Sequence, residues 1–340
     1  MPAISTGLKS IDVLKINNAE HLVGLIDDVT KHIPEMGFYD ASPVIRNMYE
    51  TLVLVQDPKV GFRKPGKFAD HEAPKLDLRS VKCTYLDASW TIDKAIAEQS
   101  DWGKEFVFAT QTMTHLRSAF MMLARQIYYG NRSNADGFKG LFELIGETTE
   151  DGTPLSNADL HIDAIDFLEK NPPKIGNKKI EPIKGPEAEK DLSSVFAVST
   201  GLDSIQLAWG SEGSLNESDV MSIRVTNPEN PSNSGKWHYA QEIAGWCGMQ
   251  VTSAHAFGRI HNLSNVNRLN DDMLYSLISR FPVGRAPQAF FMTRRSLEHL
   301  RASRMAFHPV GAPVGNPDSV GGIPIYVTDA ILNNEETILS

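Results

Sequence analysis

Apolar residues recur at alternating steps of three and four through residues 102–129, WGKEFVFATQTMTHLRSAFMMLARQIYY. Phe106, Ala109, Met113, Leu116, Phe120, Leu123 and Ile127 carry that pattern. The spacing predicts a helix with one apolar stripe, and Gln111, Thr114, Ser118 and Arg125 fall mostly on its other side. Gly130 and Asn131 follow directly, and both tolerate the left-handed turn that ends helices. At about 1.5 Å per residue the rod is roughly 40 Å long. The stripe lacks the regular flanking charges of a coiled coil, so it reads as a spine beneath a sheet.

Around this spine the pattern is shorter-ranged. Residues 19–32 predict an amphipathic helix with Leu22, Leu25, Ile26 and Val29 on one side, closed by Pro34 and Gly37. The arm before it has no strong pattern. Residues 51–56 (TLVLVQ) predict a strand, and 80–92 its return strand, with Val81, Cys83, Tyr85, Trp90 and Ile92 inward. The tip between them, 57–79, is polar and proline-bearing, yet it carries Val60, Phe62 and Phe68. A hairpin left free in water would expose those side chains, so it is expected to lie on another subunit.

Farther on, Ser156 is placed to cap a helix over 157–170, with Asp159 three residues on and Leu160, Ala164, Ile165 and Leu168 sharing a face. Residues 171–190 are a proline-bearing loop, and 193–267 read as β-rich. A helix over 269–281, a strand over 288–293, a helix over 294–306, a loop over 311–322 and a strand over 323–328 complete the chain. Short helices interleaved with strands, without βαβ regularity, predict an α+β fold.

Composition narrows the function. With 340 residues, 41% hydrophobic and 22% charged, the chain can bury an ordinary core. A formal net charge of −9 repels nucleic acid on average, so contact with DNA is expected to be local and non-specific. No apolar run is long enough to span a membrane, and the first residues lack the plan of a secretion signal. The two cysteines, Cys83 and Cys247, lead us to expect a reducing compartment.

No catalytic constellation emerges. Gly61–Lys67 (GFRKPGK) approaches a phosphate-binding loop, but Phe68 stands where a hydroxyl should hold magnesium, and Pro74 breaks the helix that should follow. Asp159, His161, Asp163 and Asp166 resemble a metal cluster, yet on the expected helix His161 points away from Asp159 and Asp163. Acids at a helix start complementing its dipole explain them better. His255 and His261 share a strand face but lack further ligands. Lys59, Arg63, Lys64 and Lys67 form a basic run at the hairpin tip, which reads as a solvated tip or a contact for an acidic protein neighbour rather than for nucleic acid. No cofactor and no metal are expected, and the chain does not read as an enzyme.

Several stretches, in order and spacing, resemble the major capsid protein of tailed bacteriophages, the Hong Kong 97-type shell fold, particularly its short-tailed-phage version. VGFRKPGKF at 60–68 is similar to the family's extended loop, and ARQIYYGNRSNADGFKGL at 124–141 to the end of its spine helix. TGLDSIQLAWGSEG at 200–213 resembles a strand ending in Trp-Gly. WHYAQEIAGWCGMQVTSAHAFGRIHNL at 237–263 resembles an aromatic strand pair, while AFFMTRRSLEHLR at 289–301 and GGIPIYVTDAI at 321–331 resemble the closing elements.

The resemblance implies an N-terminal arm (1–45), an extended-loop hairpin (46–95), a peripheral domain with its spine (96–192), a β-rich segment or insertion (193–267) and axial-domain elements (268–340). It implies inter-subunit contacts at Val60, Phe62, Arg63, Lys64, Lys67 and Phe68. The spine core would be Phe106, Met113, Leu116, Phe120, Leu123 and Ile127. Hexamers and pentamers of the chain would close an icosahedral shell around double-stranded DNA, assembled in the host cytoplasm. Scaffolding, portal and cement or decoration proteins would be partners, and no membrane is involved. A bacterial nanocompartment (encapsulin-like) shell of the same fold and, more remotely, a nucleotide-dependent enzyme are the alternative readings.

Overall fold

The computed structural model describes residues 33–43, 47–56, 58–66, 73–148, 154–171, 174–175, 178–179, 191–209, 215–226, 235–306 and 315–335. The helix expected over 19–32 lies outside them. Chain order begins with helix α1 (Glu35–Phe38), strands β1 (Ala41–Pro43), β2 (Met48–Gln56), β3 (Lys75–Lys82), β4 (Thr84–Asp87) and β5 (Trp90–Asp93), then helices α2 (Lys94–Glu98) and α3 (Lys104–Tyr129). After α3 come β6 (His161–Asp163), α4 (Ala164–Lys170), β7 (Lys174–Ile175), β8 (Lys178–Lys179), β9 (Ser193–Val198), β10 (Ile205–Trp209), β11 (Asn216–Glu217), β12 (Met221–Thr226), β13 (Gly235–Gln241), β14 (Ile243–Val251) and β15 (Phe257–Leu263). The last elements are α5 (Asp271–Arg280), β16 (Ala289–Met292), α6 (Arg294–Ala306), β17 (Ser319–Val320) and β18 (Ile323–Val327).

The central sheet runs β17-β18-β16-β9-β15-β6. Its middle strands β9, β16 and β15 are buried at every residue, because both faces are covered. Alternation then divides their side chains between two cores. Val195, Ala197, Phe290 and Met292 join the core with Leu274 and Leu277 of α5, Leu300 of α6 and Leu168 of α4. Phe196, Val198 and Phe291 face the other way, towards α1 and the end of α3. There Tyr128 meets Phe196 at 4.9 Å between ring centroids, and Phe38 meets Phe291 edge-on at 5.2 Å.

The spine is present, but its first turns are not buried as expected. Leu116, Phe120, Leu123 and Ile127 are buried, whereas Phe106 is 51% and Met113 42% exposed. A repeat of 3.5 residues drifts about 20° per heptad around a straight helix, so the stripe leaves the body as it runs towards the N-terminus. Phe108 takes over as the buried residue there, set 5.8 Å from the Trp90 ring and 4.8 Å from Tyr239. Trp90 Nε1 donates to Gln241 Oε1 at 2.8 Å, and Thr112 of the helix donates to that same oxygen. A three-stranded sheet, β12-β13-β5, thus carries the front half of the spine on one side only.

Glycine makes the turn at the other end. Gly130 has φ +56°, and a Cβ at Gly140 would lie 2.3 Å from Gly130 N and 2.8 Å from Gln126 O. The two glycines allow this backbone crossing, and the Glu143 carboxylate accepts from the amides of Asn131 (3.1 Å) and Gly140 (3.2 Å). This contact accounts for two of the three glycines in the 124–141 stretch, and the third, Gly137, packs against the Gln126 side chain.

Two expected elements are corrected. The return strand over 80–92 is three separate pieces: β3 pairs with β2, β4 with β14 and β5 with β13. Cys83, fully buried, marks the first change of partner. The helix over 157–170 is instead a 3₁₀ turn (Ala158–Leu160), strand β6 and the short α4. Parallel pairing of His161–Asp163 with Arg259–His261 holds the middle extended, and Asp163, not Ser156, caps α4 by accepting from Ile165 N at 2.8 Å.

Candidate assembly interface

The hairpin β2–β3 pairs from Met48↔Lys82 to Gln56↔Lys75, with a register shift between Leu54 and Gln56. Alternation gives it two faces, and the polarity of β3 (KLDLRSVK) is inverted across them. Asp77, Arg79 and Val81 lie on the half-buried inner face, while Leu76 and Leu78 point to solvent. Arg79 fastens that inner face to β14 and the turn beyond it: Nη1 donates to Val251 O (3.2 Å) and Thr252 O (2.9 Å). Gln250 Nε2 returns a bond to Arg79 O at 3.1 Å, and Thr51 Oγ1 donates to Gln250 Oε1. Burial lowers the guanidinium pKa and Asp77 opposes it.

The outer face carries Met48, Leu52, Leu76 and Leu78, between 45% and 60% exposed. Leu52 and Leu78 are directly opposed partners and Leu76 follows on the same face, so the three leucines form one apolar strip, and the Glu50–Ser80 rung separates Met48 from it. At the far end Val60 is 86% and Phe62 111% exposed, with Arg63 and Lys64 exposed beside them. Lys67 and Phe68 lie outside the described residues. Sequence reasoning placed the contact at the tip and missed the strip. The signal was the Leu-Asp-Leu-Arg alternation of 76–79, whose leucines were open to assignment on either face until a partner for Arg79 was known.

A second uncovered patch lies where the spine stripe leaves the body. Trp102 is 77%, Ile96 62% and Phe106 51% exposed, and the Trp102 and Phe106 rings sit 5.2 Å apart. A cleft of about 670 Å³ separates β3 from the turn after the spine and from β14, lined by Arg79, Val81, Phe138, Lys139 and Met249 among others.

The candidate chemical sites do not assemble. Gly61–Gly66 belongs to the exposed end of the hairpin, and among the described residues that follow it the first regular element is β3, not a helix. Asp163 is occupied as the α4 cap and as acceptor from Asn262 Nδ2 at 2.8 Å. His161 bonds to Ser156, and burial, reinforced by Arg259 and then His261, lowers its pKa to about 3. His255 pairs with Asn157 in the turn before β15, whereas His261 is buried within the strand. Among the described residues no three His, Cys, Asp or Glu side chains converge to hold a metal ion, and no helix is long and apolar enough to cross a membrane.

Buried charge serves the scaffold. Arg259 is 1% exposed and donates to Glu335 at 3.1 Å and to Ser194 at 2.8 and 3.0 Å. Ser194 and Tyr129 also donate to Glu335, and Tyr129 OH accepts from Leu332 N at 2.8 Å. The pair pins residues 332–335 against the sheet and the spine end. Phe142 lies between two guanidiniums, Arg132 at 3.9 Å and Arg259 at 4.2 Å from its centroid.

No family model matches the sequence, and no curated protein matches it. Among solved structures, the chain is similar to one of bacteriophage Epsilon15, with 16% identity over 87% of each chain and a TM-score of 0.60. It is also similar to a bacteriophage JBD30 capsid, with 8% identity over 89% of this chain and 92% of that one, at a TM-score of 0.48. The fold is the α+β Hong Kong 97-type fold that the sequence led us to expect.

Proposed function

We propose that this chain, with its Hong Kong 97-type fold, is the major capsid protein of a tailed bacteriophage. It builds an icosahedral shell by contacts between identical copies and has no catalytic role. One observation carries the reading: the β2–β3 ribbon turns Asp77 and Arg79 to its own body and three leucines, with Val60 and Phe62 at the tip, to solvent. Fully burying a side chain of this kind is worth about 1.5–3 kcal/mol, so the three leucines and Phe62 reward a neighbour that covers them.

In this reading residues 1–45 form an arm reaching a neighbour, and 46–95 the extended loop lying across the adjacent subunit. Residues 96–192 form the peripheral domain, 193–267 a β-rich segment and 268–340 the axial elements. Heterologous contacts close hexamers and pentamers, and these close the shell around packaged DNA. The net charge of −9 suits an inner wall that holds DNA loosely. Scaffolding, portal and cement or decoration proteins are the expected partners, with assembly in the host cytoplasm and residence in the virion. Contact at the tip runs through Val60, Phe62, Arg63, Lys64, Lys67 and Phe68.

Electron microscopy of the purified protein tests this. Wild type is expected to form closed particles. Phe62→Asp, Arg63→Glu and Leu52→Asp are expected to lose or weaken assembly while the subunit keeps its circular dichroism and melting transition. Normal particles from all three variants would refute the reading.

A further inference from the structure

Strand β12 is the outermost strand of the sheet β12-β13-β5, and among the described residues nothing pairs with its second edge. Five of its six residues are exposed, with Met221 at 51% and Val225 at 42%. Folded proteins blunt a free edge with proline, a bulge or an inward charge, because its open N–H and C=O groups invite another strand. MSIRVT contains no proline, and its register with β13 runs without a shift from Met221↔Ala240 to Thr226↔Gly235. Its one charge, Arg224, lies along its own sheet, where a Cβ at Gly235 would come 2.7 Å from Arg224 Nε.

We propose that β12 pairs antiparallel with β12 of a second copy of this chain, about a two-fold axis through Ile223. An axis normal to the sheet keeps each face on its own side, so opposed residues must share a face, and β12 has one apolar face: Met221, Ile223 and Val225. Centring the pair on Ile223 sets Met221 against Val225 of the second copy and Arg224 against Ser222. Six apolar side chains then form one continuous strip, with the two arginines staggered. Centring it on Arg224 would oppose two guanidiniums directly, which is unfavourable, and centring it on Ser222 shortens the overlap. Residue identity therefore selects a single register.

A contact of five residue pairs is too small for a stable dimer of free subunits, so at assembly concentration they pair transiently, which a disulfide traps, and the pairing persists inside a larger assembly. For that setting it rests on the shell reading. Directly opposed residues of an antiparallel pair have Cα atoms about 4.5–5.5 Å apart, within disulfide reach. The native thiols, Cys83 and Cys247, are buried and free, so background is low.

The test is mild oxidation of purified protein at assembly concentration, read by non-reducing electrophoresis. Ile223→Cys is expected to give a disulfide-linked dimer, and the double variant Met221→Cys/Val225→Cys to cross-link through the opposed pair. Arg224→Cys, offset from its own copy by a diagonal of about 7–8 Å, is expected to stay a single-chain band. Absence of cross-links in both of the first two variants overturns the pairing, whether or not particles are present, and equal cross-linking of Arg224→Cys overturns the register. Micrographs of the same samples separate the two readings: particles without cross-links reject only the edge pairing, and cross-links without particles reject only the shell.

Discussion

Substitution of Glu35 by Gln isolates one buried carboxyl and gives a pH signature with a calculable size. Glu35 opens α1, is fully buried, and accepts from Tyr128 OH at 3.0 Å through one oxygen. Its other oxygen has no hydrogen-bond partner in the structure. Burial is the main force raising its pKa from 4.5 to about 7, Asp329 adds to it, and Thr328, its own backbone amide and Tyr128 oppose it. Below about pH 4.5 both folded and unfolded chains hold this proton and the group is neutral to stability. As pH rises towards 7 the unfolded chain releases its proton first, so the folded state progressively loses stability, and above 7 the loss is complete. A displacement from 4.5 to about 7 corresponds to about 3 kcal/mol, at roughly 1.4 kcal/mol per pH decade.

Urea unfolding of unassembled wild type and Glu35→Gln, at about pH 4.5, 6 and 8, measures this. The variant is expected to gain about 3 kcal/mol on wild type between the lowest and the highest pH. His161 and His299, lowered by burial to about 3 and about 4, act in the opposite sense. Their stabilisation is present above 6.5 and fades as pH falls below it. Both proteins share that slope, so the difference between them cancels it. A difference that does not change with pH, or one that favours wild type increasingly at high pH, would refute the account of Glu35.

Further outcomes follow from the scaffold and the surface. Gly140→Ala drives a Cβ into the Gly130 and Gln126 backbone and is expected to cost 3 kcal/mol or more, on the order of a severe core clash, whereas Gly61→Ala, with nothing within 4 Å, is expected to stay within about 0.5 kcal/mol of wild type by thermal unfolding. Arg259→Met leaves Glu335 charged and buried and is expected to cost about 3–5 kcal/mol, with partial recovery when Glu335→Gln is added; a loss below about 1 kcal/mol would show the pair to be incidental. Loss of particles in Leu52→Asp and Phe62→Asp, and the Ile223→Cys cross-link, test the two proposed interfaces by microscopy and electrophoresis.

Local pattern determined a good deal. The 3.5-residue stripe and the Gly-Asn stop gave the spine its place and its end, and α5, α6, β16 and β18 lie within a few positions of where periodicity put them, while β17 falls in the expected loop. The inference that a polar hairpin bearing Val60 and Phe62 needs a neighbour also came from the chain alone. Tertiary structure decided which side of each element is inside. Phe106 and Met113 share the spine's stripe but are uncovered, because a straight helix cannot keep a 3.5-residue repeat against one support and the sheet beneath its front half sits to one side. In β3 the arginine faces the body and the leucines face out, since Val251 and Thr252 present carbonyls to Arg79. Residues 161–163 are a strand where helical spacing was read, because β15, about a hundred residues later, offers an edge to pair with. Periodicity reports neighbours along the chain. Burial and strand pairing depend on partners distant in sequence, and those are known only once the chain has folded.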